Sequence, residues 1–255
     1  WDQKFRNQIA YVSRVGESAG KMYGFVYDGT YKEEDFNITV NENGKKTYEL
    51  KPGVPKFKDG CQPGDPKYKN IDGSEDNLIT DNDRTVIGNG HPLHTGGFTN
   101  NFVYKNWDLN IFLQWSYGND VFNVNRLVME NPGAKKQLNQ FASYKNRWSE
   151  SNPTSNIPRV RAVGADEYSS LYVEDGSFLK LKTISLGYNF DTKTLKRIGL
   201  SAARVFVSAE NIATITGYSG SDPEVSTRHS VLTPGFDWSA YPRAFNASLG
   251  VNVTF

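Results

Sequence analysis

The sequence predicts an all-β chain in which some strands cross a membrane as part of a barrel, and three observations predict it. The composition is rich in turn and strand formers: 14 Tyr, 15 Phe and 23 Gly against only 2 Met, with few helix-favouring runs. Several segments alternate apolar and polar residues at period two. The connections between those segments are short, long, short and long in turn, as in barrels with short turns on one side of the membrane and long loops on the other.

The first 95 residues read as loop. Gly and Pro clusters such as KPGVPKFKDG and CQPGDPKYKN interrupt any sustained periodicity, and KMYGFVYDGTY suggests one short hairpin turning at Asp28 and Gly29. From Gly96 the character changes. GGFTNNFVY puts Phe98, Phe102 and Tyr104 on one parity, and Lys105 and Asn106 form a two-residue turn. WDLNIFLQWSY then places Trp107, Leu109, Ile111, Leu113, Trp115 and Tyr117 on one face, with Asp108, Asn110, Gln114 and Ser116 on the other and Phe112 the exception. Aromatic residues at both ends with aliphatics between them suit a strand that crosses lipid between two aromatic girdles. A half-buried sandwich strand shows the same pattern.

Residues 118–176 read as a long irregular stretch with a helical turn near 125–141, a length unusual inside a compact domain and normal for an external barrel loop. SFLKLKTISLGYNF follows. Its apolar parity switches from Leu179 and Leu181 to Ile184, Leu186, Tyr188 and Phe190, so a bulge is expected at Lys182 and Thr183. DTKTLKRIGLSA is a short connection to ARVFVSAENI, where Val205, Val207 and Ala209 alternate. A second long loop, 214–242, leads to AFNASLGVNVTF, with Phe245, Ala247, Leu249, Val251, Val253 and Phe255 on one face. This gives two regions: 1–95, external loops, and 96–255, barrel strands with two long external loops.

With 29 Lys+Arg against 28 Asp+Glu the net charge is +1, which gives no support for nucleic acid as a partner. Cys61 stands alone, so no disulfide forms within the sequence. No run approaches the roughly 18 apolar residues of a membrane helix. The start, WDQKFRNQIAYV, has neither Met nor signal peptide and reads as the middle of a longer protein.

In order along the chain, MYGFVYDGTY, PGDPKYKN, ITDNDRTVIGNGHP, GGFTNNFVYKNWDLNIFLQWSYGNDVFN, NPTSNIPR, YVEDGSFLKLKTISLGYNF, RVFVSAENIATITGYSGSDPEV and GFDWSAYPRAFNASLGVNVTF resemble the C-terminal part of SusC/RagA-type TonB-dependent transporters of Bacteroidetes. The resemblance implies about five strands of a 22-stranded barrel with a plug inside, the remaining strands coming from elsewhere in the same protein. It further implies active import of oligosaccharides or peptides across the outer membrane, energy from TonB acting on the plug, a SusD-like surface lipoprotein as a lid, and Phe255 as an assembly signal. A passive porin and a soluble carbohydrate-binding β module are the alternatives.

No catalytic constellation is present: Ser, His and Asp occur in no recognisable nucleophile setting, so an enzyme is not expected. His91 and His94 read as loop histidines at a strand entry. One acidic stretch is sharper. DGSEDNLITDND sets Asp72, Ser74, Asp76, the Leu78 carbonyl and Asp83 at the ligand positions of an EF-hand loop, with Ile79 at the apolar anchor position. Asn77 stands where such loops carry Gly, and Asp83 replaces the usual Glu. A structural Ca²⁺ ion and a turn held by side-chain-to-amide bonds are both open readings. Tyr23, Phe25, Tyr27, Trp148, Tyr168, Tyr172, Tyr218 and Trp238 are candidate faces for a sugar; packing of long loops on one another uses the same residues.

Overall fold

The computed structural model describes residues 2–131 and 139–255. The order of elements is β1 Asp2–Phe5, β2 Gln8–Val12, β3 Lys21–Phe25, β4 Tyr27–Thr30, β5 Phe36–Val40, β6 Lys46–Leu50, β7 Pro66–Tyr68, β8 Arg84–Asn89, β9 His94–Tyr104 and β10 Trp107–Tyr117. Then come β11 Asp120–Asn123, α1 Val124–Met129, β12 Val173–Asp175, β13 Phe178–Asn189, α2 Thr192–Lys196, β14 Ala202–Thr216, β15 Phe236–Asp237 and β16 Asn246–Thr254. Strands dominate. The chain divides into two compact units, each drawn from three separate stretches.

Unit 1 comprises Trp1–Gly90, Val121–Glu174 and Ser226–Ala240. It corrects the expectation that the first 95 residues are loop. A four-stranded sheet runs β1-β2-β3-β8, and small sheets β4-β7, β5-β6 and β12-β11-β15 surround it. The expected hairpin at Asp28 and Gly29 does not form. β3 pairs with β2 and β8, whereas β4 pairs with β7. The stretch expected to be irregular from residue 118 contributes β11, α1 and β12. The helical turn expected over 125–141 is the short α1, and residues 132–138 lie outside the described residues.

Aromatic residues hold unit 1 together. Ala10, Tyr11, Met22, Phe122, Val124, Leu127, Tyr168, Tyr172 and Phe236 form one buried cluster. Phe25, Tyr68 and Ile79 form a second, and Tyr31, Phe36 and Cys61 a third. Each buried tyrosine hydroxyl needs a partner. Tyr11 donates to the Pro234 carbonyl, Tyr68 to Gly164, Tyr168 to Phe5 and Tyr172 to Ala165. The first three of these bonds join segments far apart in sequence. Close packing makes Gly24 obligatory, because a Cβ there would lie 2.3 Å from the Tyr168 carbonyl oxygen.

Unit 2 comprises His91–Asp120, Asp175–Val225 and Tyr241–Phe255. Its framework is one antiparallel five-stranded sheet in the order β16-β14-β13-β10-β9, a meander in chain order. The connections are Lys105 and Asn106, then 118–177, then 190–201, which carries α2, then 217–245. Short and long alternate as expected, so both short ones leave one end of the sheet and both long ones the other. β14 runs further than the alternation in ARVFVSAENI suggests, to Thr216. The expected bulge is present: Phe112 pairs with Thr183 and Leu113 with Leu181, leaving Lys182 out of register. A compensating irregularity on β14 takes in Asn211, which adopts the left-handed conformation (φ 53°).

Candidate membrane-facing surface and polar-face cluster

Register decides which side chains share a face, because directly opposed residues of antiparallel strands point the same way. Leu109 faces Phe102 and Leu186; Ile111 faces Ile184; Leu113 faces Phe98 and Leu181; Trp115 faces Gly96 and Leu179. Onward, Leu186 faces Val207 and Tyr188 faces Val205, and these face Leu249 and Val251. One side of the sheet is therefore a mostly apolar band, with Asn100, opposite Ile111, its polar member on β9. The bulge at Lys182 makes this possible, since it returns Ile184 to the face that Leu181 occupies. Trp115 lies over Gly96, where a Cβ would be 2.1 Å from its ring.

Aromatic residues border the band. Trp107 packs on Tyr188 with ring centroids 4.8 Å apart, and Tyr188 on Phe190 at 5.1 Å. At the other end His94 stacks on Tyr117 and accepts a hydrogen bond from Trp115. Along the edge strand, Leu249 is 78% and Val251 63% exposed. Strands of 11, 11, 12, 15 and 9 residues match or exceed the roughly 9–11 needed to cross a bilayer core. A large apolar face of this kind, on strands of this length, suits hydrocarbon as its neighbour. Among the described residues no helix is long and apolar enough to cross a membrane, which leaves strand crossing untouched.

The opposite face is polar. Asn110 donates to Asn101, Arg204 pairs with Asp108 at 2.6 Å, and Asn189 donates to the same Asp108. Toward the long-connection end lies a cluster that sequence reasoning missed. Lys180, 2% exposed, is paired with Asp222 at 3.4 Å and with Glu224. Lys182 and Arg243 approach Glu224 at 3.5 and 3.6 Å, and Gln114 donates to it. Asp222 also accepts from the Glu224 and Arg243 amides. Burial pushes the Asp222 carboxyl up, but those amides and Lys180 outweigh it and hold the group below its ordinary value. Lysines at alternate positions in FLKLK and the acidic pair flanking Pro223 were visible; their meeting across some forty residues was not.

The acidic loop has a different logic from the EF-hand spacing. Asp83, fully buried, accepts from the amides of Ile71, Asp72 and Thr80. Asp72 accepts from the Ser74 amide, and Asp76 from the Leu78 amide. Each carboxylate thus binds main-chain N–H groups, and among the described residues no group of three or more His, Cys, Asp or Glu is placed to hold a metal ion. Ile79 is buried against Phe25 and Tyr68, and Asn77 takes the left-handed conformation (φ 53°), as its position in the loop suggested.

The aromatic residues considered as sugar faces divide into two sets by burial. Phe25, Tyr168, Tyr172 and Tyr218 are buried, and Tyr23, Tyr27, Trp148 and Trp238 are half-buried.

No family model matches the sequence. Curated relatives do. TonB-dependent receptor P3 of Formosa agariphila is 32% identical over 98% of this chain and 24% of its own length. TonB-dependent receptor P26 of the same organism is 31% identical over 94% of this chain. TonB-dependent receptor SusC of Bacteroides thetaiotaomicron is 30% identical over 62% of it. The chain spans about a quarter of the length of the first two. Among solved structures, the RagAB peptide importer in its closed-closed state superimposes with a TM-score of 0.67 over 100% of this chain and 25% of that one, at 21% identity. The RagAB peptide transporter gives 0.65 over 92%. The two Formosa relatives, matched along nearly the whole chain, place it among the TonB-dependent receptors, consistent with a SusC/RagA-like fragment of one.

Proposed function

We propose that this chain is part of an outer-membrane importer for nutrients, energised through TonB. The observation that carries the reading is the mostly apolar face of the meander, whose two edge strands, β9 and β16, are open to further pairing among the described residues. Open strand edges are not tolerated in lipid. Both edges therefore pair with further strands of the same protein to close a barrel of 22 strands, with lipid against the apolar face and the lumen against the polar one.

The long connections face the outside of the cell, and unit 1 supplies surface for a SusD-like lipoprotein lid. The cargo is an oligosaccharide or a peptide. RagAB, which shares the fold, imports peptides, and the half-buried Tyr23, Tyr27, Trp148 and Trp238 keep a sugar in the proposal beside a peptide. Protease added to intact cells tests the topology: residues 118–177 and 217–245 should be cut before Lys105 and Asn106 or before 191–196. The reverse order would mean that the topology is inverted. Uptake of labelled oligopeptides by cells carrying the full-length protein should vanish without TonB; uptake that persists supports a passive porin.

For the acidic loop, a calcium ion on Asp72, Ser74, Asp76, the Leu78 carbonyl and Asp83 would share Asp83 with the three amides it accepts from. A melting temperature raised by added calcium, with the rise abolished by Asp76→Asn, would support the ion. A melting temperature indifferent to calcium would remove it.

A further inference from the structure

We propose that residues 217–225 form a charge-held latch, closed on the polar face of the sheet by Lys180 and able to open while the strands beneath stay paired. A buried ammonium is tolerated only when it is paired and hydrogen-bonded. Lys180 projects from β13 between Gln114 on β10 and Thr214 on β14, and both of its carboxylate partners, Asp222 and Glu224, come from this one segment. Asp222 is fixed by a turn of its own, accepting from the Glu224 amide two residues on, so the segment presents its two charges as a preformed pair.

Lys180 faces Asp222 and Glu224 from the segment, and Glu224 is also approached by Lys182 from the same strand, Gln114 from β10 and Arg243 from the end of the connection. Three cations share two anions. Loss of either carboxylate leaves a buried, under-compensated positive charge, which water can relieve only if the segment lifts. The sheet has no such dependence, because its ladders are bonded strand to strand. Exposed pairs are weakened by salt, whereas side chains only 2%, 8% and 11% exposed are screened far less, so the latch holds at ordinary ionic strength. That the polar face lines a lumen rests on the barrel reading; the latch does not.

Hydrogen exchange of the full-length protein in detergent micelles tests the latch. In the double variant Asp222→Asn with Glu224→Gln, amides of 218–225 should exchange about ten-fold faster or more, while those of β10 and β13 stay within about two-fold. Adding Lys180→Met to that pair should slow exchange again, because it removes the buried charge that lifts the segment. Unchanged exchange in 218–225 would overturn the latch. So would equal acceleration in β13, which would make the cluster part of the sheet's own stability. If Lys180→Met fails to assemble, the two segment-side variants still decide. Failure of the barrel reading appears separately, as absence of lipid contact at Leu249.

Discussion

Unit 1 and unit 2 use their large apolar residues in opposite ways. Unit 1 buries them: Tyr11, Tyr31, Phe122, Tyr168 and Phe236 are at most 2% exposed, and tyrosine hydroxyls reach carbonyls across the unit. Unit 2 displays them, with Phe98, Leu249 and Val251 more than half exposed. The first is the solution for a body surrounded by water, where burial of apolar surface is the main stabilising term. The second is stable only where the neighbour is hydrocarbon or further protein. One chain of near-zero net charge therefore holds one region that buries its apolar residues and one that displays them, and a single hydropathy average describes neither.

That contrast can be broken at several points. The largest expected effect lies in unit 1. Phe122→Ala removes a ring packed edge-on against Tyr168, with centroids 5.3 Å apart, and should destabilise the unit by about 3–5 kcal/mol, read by denaturant titration. In unit 2, Leu249→Arg should cost about 2–4 kcal/mol near the bilayer midplane, read by urea unfolding in liposomes. Arg in place of Ser248, on the other parity, should cost far less. Equal costs at 248 and 249 would remove the two-faced account of the sheet.

A smaller effect separates the acidic residues of the loop in unit 1. Asp83→Ala strands three amides and should cost about 1–3 kcal/mol. Asp72→Ala and Asp76→Ala, at the surface, should stay within about 0.5 kcal/mol. Thermal melting distinguishes them.

The subtlest prediction concerns pH. Burial raises the Asp65 carboxyl despite the Arg159 guanidinium at 2.7 Å, so the folded unit 1 holds this proton more tightly than the unfolded chain. Its contribution to stability therefore rises as pH falls through the raised value toward 3.8. Asp222 is the reverse. Its lowered value contributes stability that is fully present above 3.8 and is lost as pH falls through the depressed value. Exchange of 218–225 should accelerate on acidification below about pH 4, while the Asp65 loop tightens. Parallel behaviour of the two segments would contradict the assigned signs.

How much of this was legible in the sequence follows from the length of each periodic signal. β10 and β16 repeat at period two over nine or more residues, and the parity switch within β13 at Lys182 announces its bulge. The strands of unit 1 span two to six residues each, too short for alternation to stand out. Their pairings, such as Lys21 with Asn89, depend on tertiary contacts. Asp83 shows a further limit: the spacing that places carboxylates around an ion also places them beside main-chain amides, and only geometry separates the two. Of the candidate sugar faces, Phe25, Tyr168, Tyr172 and Tyr218 are buried while Tyr23, Tyr27, Trp148 and Trp238 keep part of their surface, a division that residue type alone does not give. Residue type marks a ring as able to stack, and burial decides on what.

The most direct test of the central claim is a lipid-contact scan along β16. Single cysteines at 247–253 of the full-length protein, with Cys61 replaced by Ser, are spin-labelled in liposomes and read for accessibility to oxygen and to a water-soluble relaxant. The account predicts alternation at period two, with oxygen favoured at 247, 249, 251 and 253 and the water-soluble agent at 248, 250 and 252. Uniform accessibility along the strand, or the opposite parity, would contradict it.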